Sequence, residues 1–397
     1  MTAPSRICLV YPSFFPQCGG IESRLYLLGK ELATMGVEVH LVTSSTSHSK
    51  SHECWDGMNV HRFKLPTASE WPLSPKWPFA AGQDILKVVR EFKLQLIDAQ
   101  NCTALMAASL VKSEVRSLPV VFTLHDVASK WLPISSKMQM RFFLNYQPWS
   151  ALIAPSRYVA NDVTALGHNG QRPVYVVYNG VDTQMFAPAP KNITIRKRFG
   201  IRNDDLLLLC PSRIAFHKGI DDLLKAIPTI ERFSPKVKVL VSGDGSATDE
   251  REISYRNRLD SIITKLRLAE RVVFGEGQLP YAQMPLLYSA ADIVILPSSI
   301  SEGFGLGLIE AMSCGVPVIA TGVGGMLEVI EAGNTGLLVE PKKPRSIARA
   351  VANLVANPEL AAKFSKAGRE MVTTRFTARE MARQVFQVYR YALSINR

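Results

Sequence analysis

The chain has 397 residues, 47% of them hydrophobic and 20% charged, and carries a formal net charge of +12. That length exceeds what a single hydrophobic core serves, so two domains are expected, and the composition excludes a disordered chain. The longest apolar runs, such as 206–210, fall far short of the roughly 20 residues a spanning helix needs, and "MTAPSRICLVYPSFFPQ" turns polar too early for a secretory signal, so a cytoplasmic protein is expected.

Short β-branched runs alternate with amphipathic stretches from end to end, the signature of βαβ units and parallel sheets. The first unit reads as the strand "RICLVYP", the turn Gly19-Gly20 and a helix over "IESRLYLLGKELATMG", where Leu25, Leu28 and Leu32 recur at helical spacing. Glycine in such a turn lets backbone amides reach an anion at a helix N-terminus, although ordinary tight turns use the same pair. The turn is not GxGxxG, which argues against a dinucleotide fingerprint. After the strand "VEVHLVTS", the polar stretch "SSTSHSKSHECWDG" places His48, His52 and Cys54 in a solvated loop. The six cysteines include no CxxC pair, which predicts reduced thiols and no zinc site.

Further strands are expected at "LQLIDAQ", "PVVFTLHD", "ALIAPS" and "VYVVYNG". His125-Asp126 ends the second of these, where an imidazole can hydrogen-bond or exchange protons with a substrate, or simply serve the structure. Residues 127–158 hold no acid and mix Lys130, Lys137 and Arg141 with Trp131, Phe142, Phe143, Tyr146 and Trp149. Such a helix suits an anionic membrane surface, and equally a helix that packs its aromatics inward and wets its charges. The proline-bearing "NGVDTQMFAPAPKNITI" reads as the linker.

The second half repeats the scheme with strands at "DLLLLCPSR", "VKVLVSGDG", "RVVFGEG", "DIVILPS", "PVIATGVGG" and "TGLLVEP". From Lys342 onward twelve Lys/Arg face three Glu. The last helix opens on the capping box Thr377/Glu380 and aligns Met381, Val385, Val388 and Ala392 on one face. With no strand after it to cover, it is expected to pack back on the first domain. The resulting fold class is α/β, two doubly wound Rossmann-like domains facing across a cleft. The boundaries are 1–182 for the first domain, 183–376 for the second and 377–397 for the returning helix.

Ligands of open parallel sheets bind beyond the carboxyl ends of the strands, so the turns there carry the function. "SRIAFHKGI" puts Arg213 and Lys218 on one such turn, able to grip a phosphate pair as a fork and a point charge, or to stand as two surface cations. "SEGFGLGLIEAMSCGVPVIAT" sets Glu302 and Glu310 eight residues apart. As one helix it would hold Gly303, Gly305 and Gly307, each costing up to about 1 kcal/mol relative to alanine. The strand-loop-helix alternative, with the loop at "ISEGFGLG" and the helix at "LIEAMSCG", removes that cost. Amides at the helix start suit a phosphate and carboxylates suit vicinal hydroxyls, which predicts a ligand bearing phosphates and a ribose or sugar.

These motifs together, with "YNGVD" at 178–182, "GDG" at 243–245 and "GLLVEP", resemble the retaining GT-B glycosyltransferases of the glycogen-synthase-like family 4. Glu302 and Glu310 match the family's E-x7-E. The resemblance implies a metal-independent hexosyltransferase with no cofactor beyond its nucleoside-diphosphate sugar co-substrate. A UDP-sugar is the favoured donor and GDP-mannose the other candidate. It implies a glycan, lipid-linked or small-molecule acceptor, as in polysaccharide biosynthesis, and no nucleic acid. By the same resemblance Arg213 and Lys218 hold the diphosphate, Glu310 the ribose, and Glu302 and His125 lie beside the donor sugar. The amides of Gly303, Phe304, Gly305 and Leu306 touch sugar or phosphates, Gly19 and Gly20 close over the diphosphate, and Phe274 to Glu276 (Phe274 and Gly275 foremost) meet the base. The rival readings are a GT-B phosphorylase or sucrose-type synthase, and a non-catalytic nucleotide-sugar-binding protein. The basic-aromatic stretch adds an expectation of peripheral contact with the inner face of an anionic membrane.

Overall fold

A computed structural model describes residues 4–16, 19–46, 49–65, 76–126, 133–243, 245, 249–275 and 279–396. The chain divides into two compact units, Met1–Gly180 with Ala378–Arg397, and Val181–Thr377.

The first unit is built on the strands β1 (Arg6–Val10), β2 (Glu38–Ser44), β3 (His52–Trp55), β4 (Met58–Phe63), β5 (Ile97–Ala99), β6 (Val120–Thr123), β7 (Ala151–Ala154) and β8 (Val174–Val176). They form one sheet in the order β3-β4-β2-β1-β5-β6-β7-β8. Its helices are α1 (Gly20–Thr34), α2 (Lys76–Glu91), α3 (Cys102–Glu114), α4 (Ile134–Tyr146) and α5 (Arg157–Ala165). The central strands are buried on both faces, which is why "CLV", "VVF" and "ALIA" read as continuous apolar runs.

The expected solvated loop at 44–57 is in part a hairpin. β3 pairs antiparallel with β4, Trp55 opposite Met58, around Asp56 and Gly57 at φ 44° and 86°. Two positive-φ residues between paired strands make the two-residue turn that Asp-Gly favours. His52 and Cys54 therefore stand on an edge strand, while His48 lies outside the described residues.

The second unit holds α6 (Ile193–Arg198), β9 (Leu206–Cys210), α7 (Ile220–Ile230), β10 (Val237–Val241), α8 (Glu250–Leu266), β11 (Val272–Phe274), α9 (Met284–Ala290), β12 (Ile293–Leu296), α10 (Leu306–Ser313), β13 (Val318–Thr321), α11 (Met326–Val329), β14 (Leu337–Val339), α12 (Pro344–Ala356) and α13 (Pro358–Arg375). Its six strands are all parallel, in the order β11-β10-β9-β12-β13-β14. The order reverses between β9 and β12, and between β1 and β5 in the first sheet. These switch points are where open sheets place ligands.

The last helix, α14 (Ala378–Ser394), returns to the first unit, burying Met381, Val385, Val388 and Ala392 and packing on α1, β6 and β7. Its one-sided apolar pattern specified that contact, because an exposed apolar stripe is buried by packing on a neighbouring face.

Candidate functional site

At the switch point of the second unit, the loop after β9 makes a single 3-10 turn at Phe216–Lys218 and ends on Gly219. Gly219 has φ 65°, and a Cβ there would lie 2.0 Å from the carbonyl oxygen of Pro297 in the loop after β12. Only glycine fits both the left-handed backbone and that approach. The neighbouring loops meet in the same way. A Cβ on Gly243, after β10, would come within 2.5 Å of the Ser212 oxygen, and one on Gly324, after β13, within 2.2 Å of the Glu302 oxygen. The loops after four adjacent strands thus press backbone on backbone along the carboxyl edge of the sheet.

That seam positions the charged groups. Lys218 Nζ lies 2.6 Å from Glu302 Oε2, and Ser298 Oγ donates to the same oxygen at 3.2 Å. Burial pushes the Glu302 pKa up, but the Lys218 charge and hydrogen bond, with smaller help from His217 and Ser298, outweigh it and hold the carboxylate below its usual range. His217 is driven down to about 4 by burial first and then by Lys218, so its imidazole is neutral at neutral pH. Arg213 stands on the same loop with a half-exposed side chain, 3.5 Å from Glu252.

α10 begins at Leu306, two residues ahead of the expected start, with Gly305 as its left-handed N-cap at φ 94°. Gly307 is therefore helical. Its absent side chain leaves room for Pro211 and for the Tyr288 hydroxyl, 3.3 and 3.5 Å from where a Cβ would be. Tyr288 donates to Glu310 Oε2 at 2.6 Å. Glu310 is buried, and burial raises its pKa to about 7 despite that hydrogen bond. After β11, Phe274 packs against the core and carries the Arg256 guanidinium 3.9 Å from its ring centroid, while Gly275 lies against Ser242 and Glu276 falls outside the described residues. Asp244 of the "GDG" turn is outside them as well.

The switch point of the first unit is built differently. Gly19 caps α1 in an extended conformation with no side-chain cap, and Gly20 opens the helix. One turn on, Arg24 is 1% exposed, donating from Nε to Asn179 Oδ1 at 2.8 Å and from Nη1 to Gln100 Oε1 at 3.1 Å. Gln100 Oε1 also lies 3.1 Å from His125 Nε2. Behind them Asp98 accepts from Thr123 at 2.7 Å and from Tyr389 of α14 at 2.6 Å. Burial lowers the Arg24 pKa and raises that of Asp98, and each charge opposes the shift of the other. His125 sits well below its usual range through burial and then the Arg24 charge, so its imidazole is neutral. Among the described residues Arg24 Nη2 and Gln100 Nε2 make no hydrogen bond of ordinary geometry.

Residues 18–185 match the model of "Glycosyltransferase Family 4" and residues 191–371 that of "Glycosyl transferases group 1". The chain is 30% identical over 372 residues to the D-inositol 3-phosphate glycosyltransferase of Segniliparus rotundus, covering 88% of this chain and 80% of that one. The chain belongs to this family of glycosyltransferases. It is also 27% identical over 390 residues to a GDP-mannose-dependent monoacylated α-(1-6)-phosphatidylinositol monomannoside mannosyltransferase of Corynebacterium glutamicum, covering 95% and 96% of the two chains. Among solved structures, Anabaena HepE in complex with UDP and glucose superimposes with a TM-score of 0.81 at 24% identity, covering 97% of this chain and 99% of that one. The glycosyltransferase therefore has the GT-B fold.

Within the second unit the structure brings Lys218 and Glu302 into contact, with Arg213 on the lysine's loop and Glu310 on the helix that follows. Sequence reading of the glycosyltransferase missed Ser298, Tyr288, Arg24, Gln100 and Asn179. Asn179 stood inside the quoted "YNGVD", and Gln100 ended the expected strand "LQLIDAQ" as His125 ended its own. Nothing local marked Tyr288 or Tyr389, whose roles come from long-range packing.

Proposed function

We propose that the enzyme transfers a hexose from a nucleoside-diphosphate sugar with retention and without a metal. The observation that carries this reading is the Lys218–Glu302 pair at the switch point, with Arg213 on the same loop. Breaking the bond between the anomeric carbon and the phosphate oxygen places negative charge on the departing diphosphate, and cations fixed by the seam lower that barrier. The acceptor hydroxyl then bonds to the anomeric carbon from the face the diphosphate leaves, passing its proton to the departing phosphate oxygen. Glu302, held as a carboxylate, accepts hydrogen bonds from the sugar hydroxyls, and Glu310 accepts from the ribose. The amides of residues 303–306 meet the sugar or phosphates, those at Gly19 and Gly20 favour the diphosphate, and the segment after β11 contacts the base. His125 touches the donor sugar.

UDP-sugars are the first donors to test because HepE is solved with UDP and glucose, and GDP-mannose the second because the Corynebacterium relative depends on it. Thermal-shift measurements with UDP-, GDP-, ADP- and TDP-sugars identify the donor, and NMR of the product reads its anomeric configuration. An inverted product would overturn the retaining mechanism, and loss of turnover on chelation would overturn metal independence.

The acceptor is proposed to be lipid-linked, at the inner face of a membrane. No described helix is long and apolar enough to cross one. α4, however, exposes Ile134 at 78%, Met138 at 68%, Phe142 at 50% and Tyr146 at 74%, a stripe at four-residue spacing, while Phe143 faces the core. The aromatics of this stretch thus divide between the two roles the sequence allowed. Lys137 and Arg141 flank the stripe with no acid from 127 to 158, the pattern of an interfacial helix. Lys130 and Trp131 lie outside the described residues. Flotation with vesicles containing phosphatidylglycerol at low salt should carry the protein, and Phe142→Glu should release it; equal flotation of both would count against this contact.

A further inference from the structure

The polar cluster of the first unit contains residues that the transfer reaction does not itself require. Gln100 is fully buried, yet its amide oxygen receives a hydrogen bond from Arg24 Nη1 and faces His125 Nε2 at the same 3.1 Å. We infer that Arg24 and Gln100 are positioning residues that lock the proton of His125 on Nε2, leaving Nδ1 as a bare acceptor. This rests on the reading that His125 touches the donor sugar.

A guanidinium has only donors, so the Gln100 atom turned towards it must be the amide oxygen. Flipping the amide would set its NH2 against the Arg24 guanidinium, donor against donor. With the oxygen fixed, the imidazole nitrogen facing it carries the hydrogen, and in a neutral ring the lone pair then falls on Nδ1. Arg24 cannot swing away to release the amide, because Asn179 holds its Nε. The charged and titratable groups around the imidazole come from every neighbouring element. Arg24 belongs to α1, Asp98 to β5 and Tyr389 to α14, with Asp126 next in the chain. Burial first and then the field of the Arg24 cation oppose protonation. His125 would therefore accept a hydrogen bond from a sugar hydroxyl and would donate none to the leaving phosphate.

The test uses the full-length enzyme labelled with 15N-histidine, the His125 signals being assigned by their loss in His125→Gln. Two-bond 15N–1H correlations should show a neutral ring with its proton on Nε2 down to mildly acidic pH. Gln100→Leu should give mixed tautomers and a roughly tenfold fall in kcat, with KM for the donor within about twofold. Gln100→Glu keeps the Arg24 contact and replaces the neutral oxygen by a charge. It should raise the imidazole pKa by about one unit or more, and the acidic limb of the kcat profile should move with it. Arg24→Met should shift both in the same direction, and Arg24→Lys should restore part of the original profile. A wild-type ring protonated on Nδ1, or unchanged tautomer and pH profile in Gln100→Leu and Gln100→Glu, would overturn the inference. Should Gln100→Leu and Arg24→Met fail to fold, Gln100→Glu decides it. Full activity of His125→Gln alongside a wild-type Nε2 proton would instead sink the donor-contact reading and leave the lock standing.

Discussion

The two switch points solve the same problem with different materials. In the second unit the loops after β10, β9, β12 and β13 touch through backbone, glycine against carbonyl, and the charged side chains are few and partly solvated. In the first unit the loops hardly need glycine, and the geometry is held by buried side chains: Arg24, Asp98, Gln100, Thr123, Asn179 and Tyr389. A backbone seam is written as short motifs. A side-chain network is written as scattered single residues, each ordinary where it stands.

The contrast can be broken at its stiffest point first. Gly219→Ala puts a methyl group 2.0 Å from a carbonyl oxygen at φ 65°, whereas Gly245→Ala finds its nearest neighbour at 3.4 Å. The first should abolish turnover and lower or erase the unfolding transition of the second unit, and the second should leave both near wild type. Similar melting curves for the two would show that the seam is soft.

Next in size is Lys218→Ala, expected to cost about 100-fold or more in kcat with a fall in Tm of only a few degrees, since a preorganised charge acts mainly on the transition state. A folded variant with wild-type turnover would remove Lys218 from the mechanism.

Glu310→Gln separates binding from stability. It should weaken nucleotide binding about tenfold by calorimetry, as a charged acceptor is replaced by a neutral one. Glu310 has its folded pKa raised from 4.5 to about 7, so the carboxyl costs nothing while protonated in both states and increasingly destabilises the protein as pH rises from the first value to the second. The variant should therefore gain in Tm on the wild type as pH rises from about 4.5 to about 7 and keep that gain above it. A pH-independent difference would mean that Glu310 titrates normally.

The smallest effect expected is that of Tyr389→Phe, which removes one donor from buried Asp98 and should cost about 1–2 kcal/mol in chemical denaturation. No change would imply that Asp98 is satisfied without α14.

The sheets, their parallel sense and the returning helix were legible because buried parallel strands and one-sided helices impose strong periodicity. The β3–β4 hairpin was overlooked although Asp56-Gly57 announces it, because its polar neighbours outweighed the turn signal. Lys218 and Glu302 were readable as neighbours because both stand on strand-end loops of one sheet, and the structure sets them 2.6 Å apart. The start of α10 was misjudged by two residues because Gly307 looked like loop, when its missing side chain makes room for Tyr288. Arg24 and Tyr389 were hidden for a deeper reason, namely that their partners lie 76 and 291 residues away along the chain.

That last separation bears on how the protein is made. α14 supplies Val385, Val388 and Tyr389 to a sheet whose strands lie within the first 180 residues, so the first unit's covering waits until α14 has left the ribosome. Until then Asp98 lacks its tyrosine and the face that α14 will cover stays wet. A nascent chain stalled just short of α14 would carry a second unit with its own strands complete and an unfinished first one, and Asp98 would gain its tyrosine only once α14 has emerged.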